Sequence, residues 1–246
     1  MGECAFCDNT AKLTAEHITS KWMGELFPGR KQFKHTNRFG EQKEWIASGL
    51  DLTAKVVCEP CNVGWMSRIE AKHARPVMSP LMLGKIDAVF GANEARSLAL
   101  FAFKSAVVID YAQRHREPFF SRRLRHAFRK SLFIPNIVGM WMFPYLPDRH
   151  KSRFDFRISL SKGELTPGYD LQLYICTFGL GALAFQVVAH KQLFFADFRP
   201  LPGFEDLAVP FWPTLQPNYV WPGLSCLWSF EQLIEFHKRW LTIAPA

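Results

Sequence analysis

Two Cys-x2-Cys pairs, Cys4/Cys7 and Cys58/Cys61, constrain this chain more than any other feature it carries. Each such turn points two sulfurs at one place, so the pairs together can offer four thiolates to a single tetrahedral ion. In a reducing compartment, paired knuckles read as metal ligands before disulfides. The expected ion is Zn2+ in a closed structural site, stapling a stretch of chain too polar to build its own core. Residues 8–57 separate the two pairs, far more than the ~15 to 20 residues inside a compact zinc ribbon. A substantial insertion therefore lies between the knuckles. The other two cysteines, Cys176 and Cys226, stand alone in apolar surroundings and read as buried free thiols.

The rest of the composition suits a folded protein with a sizeable core, at 246 residues and 48% hydrophobic. No apolar run approaches the ~18 to 20 residues that span a bilayer. The N-terminal "MGECAFCDNT" lacks the basic and apolar regions of a signal peptide. A cytoplasmic protein with no membrane partner is the expectation. The net charge of +8 is uneven. Residues 76–165 hold 15 Lys and Arg against 7 Asp and Glu, whereas residues 1–75 hold 11 against 9 and residues 166–246 hold 4 against 6. A basic middle between near-neutral ends suits a surface that faces a polyanion.

Along the chain, residues 1–75 form one unit, and "ARPVMSPLMLG" (Ala74 to Gly84), with two prolines, reads as a junction. The stretch from Asn93 to Glu117 opens with an Asn cap and keeps an apolar helical stripe, which predicts a buried helix. Ser121 to Phe133 predicts a second, strongly basic helix. Five strand candidates follow, "NIVGMWMFPYL", "SRFDFRISL", "YDLQLYICTF", "GALAFQVVAH" and "QLFFADF", whose spacing favours an antiparallel meander. Ser229 to Ile243 opens with a Ser-x-x-Gln capping box and predicts a closing amphipathic helix. The fold class expected is α+β: a small zinc-stapled module over 1–75, then a larger domain of helices and antiparallel sheet over 85–246.

A closed four-cysteine site does no chemistry, so any reaction must use other groups. Between the knuckles, "LTAEHITSKW" carries the adjacent Glu16 and His17, and Asn62 directly follows the last knuckle cysteine in "CEPCNVGWMSRIE". Cys-x2-Cys, then Glu-His-Ile, then Cys-x2-Cys-Asn resembles the zinc-stapled branch of the HNH endonucleases, over residues 4–73. "CNVGWMSRIE" is also similar to a bacterial HNH subgroup with Cys-Asn-x-Gly-Trp-Met-Ser and a following Glu. The resemblance implies a ββα-metal unit with the acid-His pair on its first strand. It implies His17 as general base and Glu16 and Asn62 as oxygen ligands to a catalytic Mg2+ or Mn2+. Where the family carries a middle Asn that orients the base, this chain has Thr53, whose hydroxyl can also accept a bond from His17. Glu70 shares roughly one helix face with Asn62 and suits holding a basic residue better than the metal shell. Trp65 and Met66 read as core, and His73 as a solvated or capping residue.

Two basic segments are candidates for nucleic-acid backbone. The loop from Gly29 to Trp45 carries Arg30, Lys31, Lys34, Arg38 and Lys43 between the acid-His pair and Asn62. In "SRRLRHAFRK", Arg122, Arg125 and Arg129 recur at i, i+3 and i+7 and so share one helix face. A face of arginines suits phosphates without reading sequence, and a solvated face or a protein contact is the alternative. The expected function is a metal-dependent endonuclease acting on nucleic acid, DNA favoured, in a role such as phage defence. The rival readings are a non-catalytic zinc module that binds nucleic acid or protein, and a nuclease silent until a partner activates it.

Overall fold

The computed structural model describes residues 1–18, 20–27, 33–37, 43–47, 53–84, 88–113, 117–145, 154–166, 169–191, 197–198, 206–213, 215–221, 230–238 and 243–244. The N-terminal part runs β1 (Gly2–Glu3), β2 (Thr10–Ala11), β3 (Leu13–His17), α1 (Lys21–Glu25), β4 (Phe33–Asn37), β5 (Lys43–Ala47) and β6 (Thr53–Cys58). Three consecutive helical segments follow, the first kinked at Gly64: α2 (Pro60–Met66), α3 (Ile69–Ala74) and α4 (Arg75–Met82). The remainder runs β7 (Ala88–Phe90), α5 (Ala92–Tyr111), α6 (Arg122–Ser131), β8 (Val138–Pro144), β9 (Phe154–Thr166), β10 (Tyr169–Leu180) and β11 (Leu183–His190). It closes with β12 (Asp197–Phe198), β13 (Val209–Trp212), β14 (Tyr219–Trp221), α7 (Phe230–Lys238) and β15 (Ile243–Ala244). The class is α+β, with antiparallel sheets throughout.

The main sheet has the order β13-β8-β11-β10-β9. β9, β10 and β11 form consecutive antiparallel pairs, as a meander requires, but β8 pairs with β11 and not with β9. The chain thus crosses from one side of the sheet to the far edge between β8 and β9. Composition explains the correction. Every residue of β8 and β11 is buried, so both strands must be internal. The sequence of β9 alternates Asp155, Arg157 and Ser159 with Phe156, Ile158 and Leu160, which suits an edge. Met140 and Met142 join one apolar cluster while Trp141 and Phe143 join another, so the sheet is covered on both faces. Phe143 meets Phe236 of α7 at a ring separation of 4.6 Å on the second face.

Helix α5 covers the first face, and its side chains are buried continuously from Leu98 to Asp110. Phe101 packs on Phe185 of β11, and the Tyr174 hydroxyl donates to the Ala106 carbonyl at 2.9 Å. The helix begins earlier than its sequence suggests. Gly91 is the cap, its N–H held by the Glu94 carboxylate at 3.1 Å, and Asn93 lies inside the first turn. The cap of α6 is Ser121, which accepts from the Leu124 N–H. The cap expected at Ser229 lies outside the described residues.

The stretch Ala74 to Gly84 is not a junction but mostly helix α4. Pro76 sits in its first turn, where a missing N–H removes nothing, and the Ser79 hydroxyl bonds the Arg75 carbonyl at 2.7 Å. The end of α4 docks on the sheet: the Ala182 N–H in the β10–β11 turn donates to the Met82 carbonyl at 2.8 Å. Gly181 makes that approach possible. It sits at φ +61°, and a Cβ there would fall 2.3 Å from the Met82 oxygen. One buried cluster then runs from Cys4 through α5 to Trp221, so residues 1–75 and the later part share a core. Among the described residues no helix is long and apolar enough to cross a membrane.

Candidate active site and metal centre

The knuckles assemble first, because short-range backbone bonds leave them little choice. β1 and β2 pair across the Cys4–Cys7 turn, and the Cys4 N–H reaches the Asn9 carbonyl at 3.2 Å. The β3–β6 ladder carries a register shift between Thr14 and Ala15 that leaves Val56 without an opposite residue. The Val56 carbonyl instead takes the Ala5 N–H at 2.8 Å, which draws the first knuckle onto the end of β6. The sulfurs of Cys4, Cys7, Cys58 and Cys61 all lie within 4.8 Å of one another and are buried. Cys7 and Cys58 stand 3.5 Å apart, and the Cys58 N–H donates to Cys4 Sγ at 3.3 Å. A tetrahedral ion with bonds of ~2.3 Å would set sulfurs about 3.8 Å apart, so the four residues can hold a metal ion. A Cys61 hydrogen bond, helped by the Cys58 and Phe6 N–H groups, holds the Cys4 thiol down to about 4 against its burial. Burial pushes Cys7 up. Such thiols share protons until a cation replaces them.

Helix α6 is held to this centre by Arg122 and Arg125 of its basic face, and burial takes Arg125 out of the set expected to face phosphates. Arg125 is buried, with its Nε donating to the Ala5 carbonyl at 2.6 Å and its Nη1 to the Phe120 carbonyl. Arg122 pairs with Asp8 at 2.5 Å and Glu3 at 3.2 Å, on either side of the knuckle. Burial works to lower the Arg129 pKa, and a hydrogen bond to Cys61 with the field of the cysteine cluster outweighs it. Trp65 belongs to the same packing, edge-on to Phe6 at 5.0 Å and to Phe128 at 5.5 Å. The i, i+3, i+7 spacing identified a face correctly but not its partner.

The hairpin and helix that follow the staple carry the candidate catalytic residues. His17 lies directly opposite Thr53, and Ala15 opposite Lys55. Thr53, Lys55 and Ala15 are exposed and His17 is partly so, while Glu16 is buried. Neighbours on a strand point to opposite faces, so one face of the hairpin offers His17, Thr53 and Lys55 and the other hides Glu16. Asn62 leaves the first turn of α2 and crosses to β3. Its amide nitrogen donates to Thr14 Oγ1 at 3.0 Å and to the Ala15 carbonyl at 3.3 Å. The Thr14 hydroxyl in turn donates to the Val57 carbonyl at 3.1 Å. Because both Asn62 bonds require a donor, the side-chain oxygen is the atom left for a cation.

Glu16 does not meet Asn62. Its carboxylate takes the ammonium of Lys104 from α5 at 2.9 Å, and the same ammonium holds Glu70 of α3 at 2.5 Å. Among the described residues no hydrogen bond joins Glu16 to Asn62. Burial raises the Glu16 pKa, only partly offset by the Lys104 charge. The two carboxylates raise Lys104 above its usual range in spite of complete burial. Glu70 thus holds a basic residue, and His73 is exposed. Lys104 was the residue missed from sequence. Its signal was a single charge within "LALFAFKSAVVID", where a buried ammonium must find carboxylates.

Arg30, Lys31 and Cys226 lie outside the described residues, and so does the side chain of Lys34 on β4. Cys176 is a buried free thiol, pushed up to about 12 by burial. No protein-family model matches the chain, and comparison with curated proteins and with solved structures gives no match.

Proposed function

We propose that this chain is a metal-dependent HNH-type endonuclease acting on nucleic acid, with DNA the favoured substrate, and that a structural Zn2+ fills the four-cysteine centre. The observation that carries the reading is the order strand, strand, helix at one stapled corner. His17 faces Thr53 across the hairpin, and Asn62 is anchored to the same strand from the first turn of the helix. His17 is the group able to take a proton from the attacking water as the new P–O bond forms and the bond to the departing oxygen breaks. Thr53 lies where it can orient the imidazole. Asn62 Oδ1 would offer a ligand to Mg2+ or Mn2+, with phosphate oxygens and water filling the shell, and a bound divalent ion supplies charge stabilisation at the phosphate. Glu16, expected as the second ligand, is instead held by Lys104 on the buried face. The zinc's task is mechanical: it fixes the angle at which Asn62 leaves the knuckle.

The experiment is cleavage of duplex, single-stranded DNA and RNA by the purified chain with Mg2+ or Mn2+, wild type against His17→Ala. Metal-dependent cutting lost in the variant supports the reading, and equal cutting removes His17 as base. One observation favours the rival, a non-catalytic zinc module: Glu16 already has a full protein partner in Lys104. Salt-sensitive binding without cleavage under either metal would favour that rival. The reading places the protein in the cytoplasm, with any activating partner acting through the later part of the chain.

A further inference from the structure

Three segments from distant parts of the sequence converge on one nitrogen. Lys104 Nζ, fully buried on α5, reaches Glu16 on β3 and Glu70 on α3. Glu16 precedes His17 in sequence, so fixing its side chain fixes the end of the strand that presents His17. Glu70 lies eight residues past Asn62 on the helical run that begins at the knuckle, and Gly64, with φ −87° and ψ −107°, kinks that run between them. A kinked helix needs an external hold on its far side to keep its near side in place. The zinc knuckle holds one end of this run, and the Lys104–Glu70 pair holds the other. Lys104 itself has little room to adjust: its ammonium also sits 5.6 Å from the Phe101 ring, and α5 is buried continuously from Leu98 to Asp110, with Phe101 packed on Phe185 of the main sheet.

We propose that Lys104 is a positioning residue for the candidate active site, setting the strand of His17 and the helix of Asn62 relative to each other from within the larger α+β part. This rests on the nuclease reading for its consequence in turnover, but the mechanical coupling stands on the geometry alone. A misplacement of about 1 Å in a catalytic group costs ~100-fold in rate. Releasing the ammonium therefore acts on turnover and leaves substrate affinity nearly alone, because Lys104 touches no surface that a nucleic acid can reach. The catalytic geometry of residues 1–75 becomes a property of the whole chain.

The test uses the full-length protein as wild type, Lys104→Met and Glu70→Gln, with zinc content measured on each. Two readouts are taken: kcat and KM for duplex cleavage with Mn2+, and amide hydrogen exchange at residues 13–17, 69–74 and 138–144. For Lys104→Met the expected result is a kcat lowered ~100-fold with KM within about twofold. Exchange should rise at 13–17 and 69–74 by more than at 138–144, where any rise reports only the global loss of stability. Glu70→Gln retains the Lys104–Glu16 pair, so exchange should rise at 69–74 alone, with kcat lowered about tenfold. If Lys104→Met does not fold, Glu70→Gln carries the test. Wild-type kcat with unchanged protection in either folded variant overturns the proposal, as does uniform loosening of all three segments. If the isolated wild type cuts nothing, turnover gives no readout, and the paired rise at 13–17 and 69–74 alone decides the coupling.

Discussion

Glu16 and Lys104 are 88 residues apart in sequence and 2.9 Å apart in the fold, the carboxylate of a candidate catalytic strand buried against the ammonium of the central helix. A second carboxylate, Glu70, shares that ammonium at 2.5 Å. Paired buried charges contribute little net stability, yet breaking the set by removing one member is expensive. The triad thus specifies an arrangement more than it strengthens one.

Lys104→Met should destabilise the protein by about 3–5 kcal/mol near neutral pH, read from guanidinium unfolding, because Glu16 is left buried and Glu70 partly buried without a cation. The pH dependence follows from Glu16. Burial already holds its folded pKa above the ordinary 4.5, so the folded state binds its proton more tightly than the unfolded chain does. A raised folded pKa gives stability that is present at acid pH and is lost as pH rises through the folded value. Losing Lys104 raises that value further. The gap between variant and wild type should accordingly be small near pH 4 and widen upward from about 4.5. A gap that is constant with pH would mean that the carboxylates stay uncharged or reach water.

The four-cysteine centre predicts a single bound zinc per chain, measurable by atomic absorption. Cys58→Ser should abolish it. Cys58 joins β6, the Cys4 sulfur and the rest of the cluster, so its loss should unfold the knuckle, with α6 released as well. Increased protease access at residues 1–11 and 121–131 in the variant would report this. Full zinc occupancy in Cys58→Ser would exclude the site as drawn.

Much of this was readable in the chain because it is local. A Cys-x2-Cys turn aims two sulfurs wherever it occurs, and Ser121 before a basic amphipathic run marks the start of α6 without outside help. The apolar strands β8 and β11 also declare themselves. What sequence could not supply was the partner of each face. The Arg122, Arg125 and Arg129 face looks equally suited to phosphates and to a knuckle of backbone carbonyls and thiolates. The same holds for β8, whose place beside β11 depends on competition for the sheet interior, and for Lys104, whose carboxylates come from elsewhere in the chain. The prolines of α4 misled for another reason: Pro76 falls in a first turn, where helices tolerate it, and Pro80 sits inside the helix against its usual cost.

Arg125 and Lys55 should separate structural from interfacial charge. Arg125→Met strands the Ala5 and Phe120 carbonyls in the interior and should cost about 2–3 kcal/mol. It should leave the salt dependence of nucleic-acid affinity unchanged in the folded fraction. Lys55 is exposed on the face shared by His17 and Thr53. Lys55→Gln should lower the magnitude of the log–log salt slope by about 1, with stability near wild type. The reverse pattern would put the nucleic-acid surface on α6.

Gly181→Ala tests the docking of α4 on the sheet. The added methyl would meet the Met82 carbonyl oxygen at 2.3 Å and the Phe27 ring at 2.7 Å, at a backbone φ of +61°. Left-handed strain and overpacking each cost ~1–3 kcal/mol, so a loss of about 3 kcal/mol is expected in thermal or chemical unfolding. A near-neutral effect would mean that α4 can lift off the β10–β11 turn.

His17 and Thr53 face each other across the β3–β6 hairpin, and their variants should differ in degree if one is the base and the other its orienting partner. His17→Ala removes the proton acceptor and should lower kcat by ~100- to 10,000-fold, with KM little changed. Thr53→Ala leaves the imidazole present but freer to rotate, and a loss of about tenfold in kcat is expected. The double variant should be no worse than His17→Ala, because an orienting residue has nothing left to orient. Additive losses would show Thr53 acting on the substrate independently. A Thr53→Ala enzyme at full rate would pass the orienting role to the backbone. Both outcomes are read from single-turnover cleavage with Mn2+ at saturating enzyme.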